Sequence, residues 1–297
     1  MEFDEILDMI YMYDCEVTAY DNLFVFIKYT NDEKYVFHNP SADTLNEFIS
    51  SKNMILLGYN NRSYDKYILQ GVVGGCDKTE IKEINDHIIS GHNGYQLDIP
   101  YNPIPPQMDL LPEIVPRKSL KELEGNLCMD ITETTVDFNI DHPWTKQELE
   151  EMIYYCTKDV EALKPIFNML MKAFKSKYIV AQICGLDPIK AMCMTNANIT
   201  AWALGAKKEE HNDQFLYEFP DVIDKSKIPK EFLDYIQMCR DHNDDYEYIK
   251  EHPMEPLYID GLKIQVQLGG IHGFPESGPF EYGENEVFTC EWDMERY

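Results

Sequence analysis

The stretch Met9-Ile10-Tyr11-Met12-Tyr13-Asp14-Cys15-Glu16-Val17 is an apolar, β-prone run that ends in two carboxylates, and it decides the fold and the chemistry expected of this chain. Buried strands of this composition rarely hold unpaired acids, because a charge away from water is costly. Residues two apart on a strand point to the same face, so we expect Asp14 and Glu16 to converge. Like charges held close together need a proton or a cation between them. The stretch therefore predicts a divalent-metal site, and carboxylate oxygens favour magnesium or manganese.

The segments on either side of this run predict a layered α/β domain. Apolar runs bounded by turn residues indicate strands, and apolar residues three or four apart indicate helices. In chain order we expect strands over 9–17, 22–29 and 34–37, a helix over 41–51 capped by Ser41, a strand over 54–57, a helix over 64–73, and an extended segment at Met108-Asp109-Leu110. The first three strands form an antiparallel meander, with Asp21-Asn22 as its first turn.

The longest helix is predicted over residues 145–174. Thr145 and Glu148 form a capping-box pattern at its start, and apolar residues then recur at helical spacing. Pro165 either kinks this helix or divides it. The segments expected beyond it are helices over 196–206 and 229–239 and a β-like tail over 257–268 and 287–293.

Composition narrows the class of protein. The chain has 297 residues, 44% of them hydrophobic, which is enough for one large domain or two smaller ones. No apolar run approaches the roughly 20 residues of a membrane span, and the acidic start is unlike a signal peptide. The eight cysteines show neither zinc-type pairing nor a disulfide framework. We therefore expect a cytoplasmic protein, in the host cytoplasm if it is phage-encoded.

The net charge of −27 argues against binding of nucleic acid through bulk electrostatics. It leaves room for a nuclease whose metals and local cations meet the phosphates. Basic residues gather in Arg117-Lys118-Ser119-Leu120-Lys121, and again at Lys158 and Lys164. The simplest interpretation of the overall charge is solubility.

The pattern Asp-x-Glu is weak by itself in so acidic a chain. It starts at Asp14, Asp159, Asp245 and Asp293. The copy at Asp245 ends a polar run, 240–245, that is typical of solvated surface. A calcium-binding loop over 241–252 is disfavoured, because Tyr246 stands where such a loop needs glycine and His252 where it needs glutamate.

A second candidate segment is Gly58-Tyr59-Asn60-Asn61-Arg62-Ser63-Tyr64-Asp65, which follows a buried strand and opens a helix. Loops at strand ends are where α/β domains place functional groups. Asp65 at a helix N-terminus also has a purely structural interpretation, because it would cap the helix without any part in catalysis. Both interpretations stay open from the residues alone.

A third candidate segment is Tyr155-Cys156-Thr157-Lys158-Asp159. Tyr155 and Asp159 are four apart, so they lie on one face of the long helix, beside its apolar stripe. The structural interpretation is a boundary acid, hydrogen-bonded or paired with Lys158 or Lys164.

Taken together, the three segments resemble the 3′–5′ exonucleases of the DEDD class, which have a ribonuclease H-like fold. Asp14-Cys15-Glu16 matches the first motif, 60–65 matches the second, Asn-x-x-x-(Phe or Tyr)-Asp, and 155–159 matches the third. One branch of the class carries tyrosine in the third motif and the other carries histidine. The histidine would stand at position 154, which is tyrosine here, so the tyrosine branch is indicated.

The resemblance implies two bound ions, Mg²⁺ or Mn²⁺, and a role for each acid. Asp14, Glu16 and Asp159 would hold the ion that activates the attacking water. Asp14 would also bridge to the second ion, which Asp65 supports directly or through water. Tyr155 would orient the attacking water by its hydroxyl. Two such ions neutralise charge and stabilise the leaving oxygen in phosphodiester hydrolysis.

The resemblance also implies the substrate. Asn60 and Tyr64 would line the pocket for the terminal nucleotide, and a nucleoside 5′-monophosphate would leave from a 3′ end. The expected partners are the 3′ end of single-stranded DNA or a primer–template, together with replication proteins, and no membrane.

Further segments are similar to phage-type DNA polymerases of family B. These are 119–125 and 137–139 near the third motif, and 195–201 and 269–273 downstream. The final residues, Trp292-Asp293-Met294-Glu295-Arg296-Tyr297, resemble the start of the first polymerase motif, Asp-x-x-Ser-Leu-Tyr-Pro, with Arg296 in place of the serine. Asp293 would then be a polymerase metal ligand without its partners. The alternative is an ordinary strand with an acidic end.

These expectations combine into one description of the chain. We expect a ribonuclease H-like mixed β-sheet flanked by helices, followed by a mainly helical connecting region and a short β tail. Residues 1–175 would be the exonuclease domain, 176–285 a connecting region toward a polymerase, and 286–297 the truncated start of its palm. The expected activity is proofreading hydrolysis of DNA by a polymerase fragment that does not itself polymerise. The alternatives are a free-standing exonuclease on RNA or oligonucleotides and a non-catalytic nucleic-acid-binding scaffold.

Overall fold

The computed structural model describes residues 1–206, 224–242, 245–259, 262–267 and 270–275. The chain divides into two compact units, Met1–Lys207 and Lys208–Tyr297. The first unit holds all the candidate site residues except Asp293, which lies outside the described residues together with the segment 287–293 and the proposed palm segment 286–297.

The first unit is an α/β domain with one five-stranded sheet. Its strands are β1 (Ile10–Val17), β2 (Asn22–Lys28), β3 (Lys34–His38), β4 (Ile55–Gly58) and β5 (Gln107–Asp109). Its helices are α1 (Phe3–Asp8), α2 (Ala42–Ser50), α3 (Asp65–Val73), α4 (Lys78–Ile89), α5 (Leu120–Asn126), α6 (Lys146–Cys184), α7 (Pro188–Met192) and α8 (Asn196–Ala203). The expected α/β class is thus confirmed, as a mixed sheet flanked by helices.

The sheet has the order β3-β2-β1-β4-β5. The hairpins β1–β2 and β2–β3 are antiparallel, as the sequence predicts, while β4 and β5 run parallel to β1. The carboxyl ends of β1, β4 and β5 therefore meet at one edge of the sheet. Open α/β sheets place their functional groups outside the carboxyl ends of their parallel strands.

Two hydrophobic layers cover the two faces of the sheet. On one face, Met12 of β1 packs with apolar residues of α6, including Met152, Cys156 and Val160. On the other face, Tyr13 of β1 packs with residues of α2, α3 and α4. Because side chains alternate along β1, the even-numbered positions that include Asp14 and Glu16 face α6.

Helix α6 is longer than the sequence predicts. Thr145 is its N-cap and forms the expected capping box with Glu148, but the helix runs ten residues beyond position 174, to Cys184. Pro165 lies inside α6 and does not divide it. A proline costs one backbone hydrogen bond, and burial of Phe167, Phe174 and other apolar residues on the C-terminal half offsets that loss.

Several elements were not predicted from the sequence. The helix α4 has Asp77 as its N-cap with a complete capping box, and α5 is capped in the same way by Ser119. Both carry the serine or aspartate followed three residues later by glutamate that marks a helix start. These signals are present in the sequence, so both helices were predictable.

The second unit holds helices and a small sheet. Its elements are α9 (Lys230–Asp241), α10 (Tyr246–Glu251), β6 (Leu257–Ile259), β7 (Leu262–Gln267) and β8 (Gly270–Pro275). The three strands form an antiparallel sheet in the order β6-β7-β8. Across the described part of the chain, no helix combines the length and apolar character needed to cross a bilayer.

The expected boundary at residue 175 falls inside α6, and the first compact unit continues to Lys207. Phe174, Tyr178 and Met192 belong to the same hydrophobic cluster as the sheet. The segment just after 175 is therefore packed as part of the first unit, and the roles given to the sequence ranges stay predictions.

Candidate metal centre

Asp14 and Glu16 stand at the carboxyl end of β1, with both side chains on the α6 side of the sheet. They are half-buried, and Cys156 of α6 is fully buried beside them. One ligand-type atom from each of these three residues lies within 4.8 Å of the other two. The convergence expected from the i, i+2 spacing is thus present, and the structure adds a sulfur that the sequence did not predict as part of the site.

Asp65 is the first residue of α3, and its carboxylate is directed at β1. Its Oδ1 accepts a hydrogen bond from the backbone N–H of Cys15 and another from the Cys15 thiol, each 3.2 Å long. Asp65 is also close enough to Asp14 for their carboxyls to hydrogen-bond. The N-cap position is taken by Tyr64, so Asp65 is more than a helix cap.

Asp159 and Tyr155 lie on the first half of α6 and face the same edge of the sheet. Lys121 of α5 forms an ion pair with Asp159, and its Nζ is 5.0 Å from the centre of the Tyr155 ring. The partners considered from the sequence alone are elsewhere, because Lys158 pairs with Glu161 and Lys164 pairs with Asp32. Lys158 pairs with Glu161 because the two residues are three apart and lie on the same outward face of the helix.

The electrostatics of Asp14 and Glu16 are those of a site with more negative than positive charge. Burial, followed by the carboxylates of Asp65, Glu16 and Asp159, raises the pKa of Asp14 well above its usual value. Burial, followed by Asp159 and Asp65, raises the pKa of Glu16 in the same way, and Lys121 only partly opposes this. Both acids therefore favour a bound proton, or a bound cation in its place.

The pKa values of the other members of the site are also raised. Burial raises the pKa of Asp65 to about 6, against hydrogen bonds from Cys15 and Asp14. Burial also raises the pKa of Asp159, although Lys121 and a hydrogen bond from Tyr155 oppose the shift. Burial and then Asp159 raise the pKa of Tyr155 far above its usual value, so its phenol keeps its proton at neutral pH.

Asp109 at the end of β5 holds the loop that carries the second motif. Its carboxylate accepts hydrogen bonds from the backbone N–H groups of Asn60 at 2.8 Å, Arg62 at 3.3 Å and Leu111 at 3.0 Å. Asn60 has a positive φ of 60°, a conformation that asparagine tolerates better than most residues. The loop backbone is thus fixed from a neighbouring strand.

Asn60 and Tyr64 do not join the carboxylates directly: Tyr64 lines two grooves beside them, and Asn60 lines only one of the two. The Glu16 groove, of about 530 Å³, is lined by Glu16, Val17, Tyr64, Lys82, Asn85, Asp86, Ile89, Phe138 and Asn139. The Tyr95 groove, also about 530 Å³, includes Asn60, Arg62, Ser63, Tyr64, Tyr67 and Tyr95. The Tyr64 hydroxyl donates a 2.6 Å hydrogen bond to Asn85 Oδ1, which fixes its ring in the wall between the two grooves.

Sequence reasoning missed Lys121, Cys156 and Asp109 as parts of this site. Asp109 had a usable signal, because an acid that ends a buried strand is the same feature that marked Asp14. Lys121 lies in the basic run that was recognised, but its partner Asp159 is 38 positions away and only the fold shows the pairing. Cys156 gave no signal, because a cysteine in an apolar helical stripe is most often core.

At this edge of the sheet Asp14, Glu16 and Cys156 form one tight group, and Asp65 hydrogen-bonds to Cys15 beside it. Asp159, with Lys121 and Tyr155 next to it, interacts with the group through its charge. Oxygen donors in this number, with little compensating charge, fit hard divalent cations such as Mg²⁺ or Mn²⁺. The two adjoining grooves give room for a ligand next to the acids. Comparisons with protein-family models, with curated proteins and with solved structures find no match to this chain.

Proposed function

We propose that this chain is a metal-dependent 3′–5′ exonuclease that hydrolyses the terminal phosphodiester of DNA, on a ribonuclease H-like fold. The single observation that carries the proposal is the convergence of Asp14, Glu16, Asp65 and Asp159, with raised carboxyl pKa values, around one sheet edge. Acids placed so close together in a fold cost stability, and they are retained where a cation is bound.

The donor set supports a two-ion centre. Asp14, Glu16 and Asp159 would hold one ion, and Asp14 with Asp65 the other. Two Mg²⁺ or Mn²⁺ ions at such a centre supply charge neutralisation and an activated water for an in-line displacement at phosphorus. Hydrogen bonds from Cys15 to Asp65 fix one carboxylate before any ion arrives, which reduces the reorganisation needed on binding.

Tyr155 and Lys121 are placed to act on the reacting groups. Because the phenol of Tyr155 stays protonated, it can donate one hydrogen bond and accept another, and so orient a water beside Asp159. The Lys121 ammonium lies next to the same carboxylate and brings positive charge to a place where phosphate oxygens would gather.

The Glu16 groove gives the terminal nucleotide a binding site. Glu16 stands at one end of this groove, and the Tyr64 ring forms a wall on which a base can stack. Phe138 is exposed in the same groove and offers a second apolar surface. The terminal nucleotide would then lie between the Tyr64 ring and Phe138 while its phosphodiester bond is hydrolysed beside the acids.

Proofreading within a family B DNA polymerase is the biological role that we propose for this activity. It rests on the motif order and on segments such as 119–125, which include Lys121. The rival role, a free-standing exonuclease on RNA or oligonucleotides, uses the same centre, so substrate preference separates the two. A scaffold that cleaves nothing is the third possibility, and the complete set of acids argues against it.

The direct test is an exonuclease assay with single-stranded DNA labelled at its 5′ end. With Mg²⁺ or Mn²⁺, we expect a ladder of products that shortens from the 3′ end. The double variant Asp14→Ala/Glu16→Ala should produce no ladder. As a matched control, Asp8→Ala/Glu5→Ala removes two acids from the surface near α1 and should cleave like the parent chain.

Undiminished cleavage by the Asp14→Ala/Glu16→Ala variant would refute the assignment of the centre. Faster turnover of RNA than of DNA under the same conditions would favour the free-standing RNA exonuclease. No cleavage of either polymer by the parent chain, despite measurable binding of Mn²⁺, would support the scaffold.

A further inference from the structure

The Tyr95 groove has an unusual charge for this chain. Arg62 lines it, and Lys66 of α3 lies close enough for the two positive charges to interact. In the described part of the chain, neither side chain forms an ion pair. The charge of Asp109 interacts with that of Arg62, but Asp109 accepts its hydrogen bond from the Arg62 backbone N–H rather than from the guanidinium.

Two neighbouring, half-buried cations without acid partners are notable where acids outnumber bases by 53 to 26. Two other half-buried lysines on this unit, Lys82 and Lys158, are each paired with an acid on their own helix. An anion in the groove would pair with the positive charge at this place.

Aromatic rings stand beside these cations. Tyr95 is 73% exposed and Tyr67 is half-buried, and both line the groove. The Lys66 Nζ lies 4.5 Å from the centre of the Tyr67 ring. Cations that track a backbone, together with rings on which bases stack, are the combination used to bind single-stranded nucleic acid.

The turn that carries Tyr95 is built to stay in place. Gly91 has a φ of +93°, and residues Gly94–Gln96 form a short 3₁₀ helix with a capping box from Asn93. The backbone at Gly94 lies directly against the Tyr67 ring, because an added Cβ would be only 2.4 Å from it. The groove is therefore defined by backbone contacts and not by a loosely placed loop.

The Tyr95 groove adjoins the groove that holds Glu16. Tyr64 and Ile89 line both the Tyr95 groove and the Glu16 groove, and Glu16 belongs to the centre itself. A strand whose terminal nucleotide lies beside Glu16 would pass the Tyr64 ring and enter the Tyr95 groove with its preceding nucleotides.

We propose that the Tyr95 groove is a subsite for single-stranded nucleic acid, with Arg62 in its lining meeting a phosphate, Lys66 beside it adding positive charge, and Tyr95 stacking on a base. This deepens the proposed exonuclease function and rests on it for the direction of the strand. The ligand class is a polyanion with planar bases, which both DNA and RNA supply, and the experiment separates the two.

Binding is measured on the full chain in EDTA, where no cleavage interferes, by fluorescence anisotropy of a labelled twelve-nucleotide oligothymidylate. Arg62→Ala should weaken binding about tenfold at low salt and reduce the slope of log K against log salt by about 0.7. Tyr95→Ala should weaken binding about 5- to 150-fold, the range for loss of one base–aromatic stack.

Matched controls remove the same groups elsewhere. Lys146→Ala deletes a cation that is exposed and paired with Glu150, and Tyr101→Ala deletes a tyrosine that is 84% exposed outside the groove. Both should bind like the parent chain. With an oligonucleotide that has phosphates but no bases, the effect of Arg62→Ala should remain and that of Tyr95→Ala should vanish.

Equal binding by Arg62→Ala, Tyr95→Ala and the parent chain would overturn the subsite, even if the chain proves to be an exonuclease. Weaker binding by both variants would support it even if no cleavage is ever detected. Tighter binding of oligouridylate than of oligothymidylate would assign the groove to RNA. Circular dichroism spectra of the variants check that lost binding is not lost folding.

Discussion

Two sets of acids, one buried and one half-buried, lie within a few residues of each other on the β1–β2 hairpin, and they have opposite surroundings. Asp21, in the turn, accepts hydrogen bonds from His38 and Asn39 through Oδ1 and from the Trp144 backbone N–H through Oδ2. Burial alone would raise the pKa of Asp21, but these donors outweigh burial and lower it.

Asp14 and Glu16, by contrast, face mainly other carboxylates, and their pKa values rise. The difference separates two uses of a buried acid. Hydrogen-bond donors surround Asp21, whose carboxylate holds the turn in place, whereas Asp14 and Glu16 face mainly other acids, as the proposed metal centre would require.

The largest expected effect is on activity. Asp14→Asn keeps the shape of the side chain but removes a negative charge from the centre. We expect a loss of at least about 100-fold in the rate of Mg²⁺-dependent cleavage, because charge stabilisation by such ions is worth several kcal/mol. Asp21→Asn is the control and should retain the parent rate at a temperature where it is folded.

The rates come from the shortening ladder of 5′-labelled DNA in single-turnover conditions. An equal loss of rate in Asp14→Asn and Asp21→Asn would contradict the distinction between a catalytic Asp14 and a structural Asp21, since it would give both acids the same role.

The next effect is on stability, and its sign should differ between the two acids. Asp21→Asn should lower the free energy of unfolding by about 1.5–3 kcal/mol, because it removes a charged acceptor of three hydrogen bonds. Asp14→Asn in EDTA at pH 8 should raise it by about 0.5–2 kcal/mol, because it relieves repulsion at the centre. Urea denaturation followed by circular dichroism measures both values.

A third test uses pH in the absence of metal. The pKa of Asp65 is raised in the folded chain to about 6, from its usual 3.8. Because the pKa is higher in the folded state, the folded chain binds this proton more tightly than the unfolded chain. The extra free energy of unfolding that the proton supplies is therefore fully present below about pH 4. It should fall by roughly 3 kcal/mol or less as the pH rises past 6.

Asp65→Asn should flatten this part of the pH profile, which is followed by urea denaturation in EDTA between pH 4 and pH 8. Addition of Mn²⁺ should restore stability at the upper end, where the acids are charged. A parent profile that rises with pH over this range would contradict the assignment of the raised pKa.

The smallest expected effect concerns Lys121, whose positive charge partly compensates the negative charge of Asp159. Lys121→Met removes the opposing charge, so the pKa of Asp159 should rise further. We expect the pH of half-maximal Mn²⁺ binding, measured by calorimetry, to rise by about one unit or less. Lys158→Met, which removes a surface cation paired with Glu161, should leave that pH unchanged.

Local patterns made much of the fold predictable. The alternation of side chains along β1 and the caps at Ser41 and Thr145 are set by neighbours in sequence and were found as expected. The expected turn at Asp21-Asn22 is present one residue earlier than predicted: it ends at Asp21, and Asn22 begins β2. The length of α6 was not, because Pro165 signals an end that distant packing overrides.

The candidate site likewise has a part that local sequence patterns predict and a part that they do not. The pairs Asp14 with Glu16 and Tyr155 with Asp159 follow from strand and helix periodicity. Their meeting with Asp65, and the pairing of Lys121 with Asp159, depend on which elements adjoin at the sheet edge. A single sequence does not encode that adjacency in any local spacing.

The hydrogen bonds that Asp109 accepts from the loop backbone have a consequence for which substitutions the loop tolerates. Because its one carboxylate holds the loop through backbone N–H groups, the shape of the loop depends little on the side chains at Arg62 and Ser63. Those two positions are free to be exchanged during evolution, or in a mutant library, without loss of the backbone that presents them. The loop is thus a place where new specificities can be tried at little risk to folding.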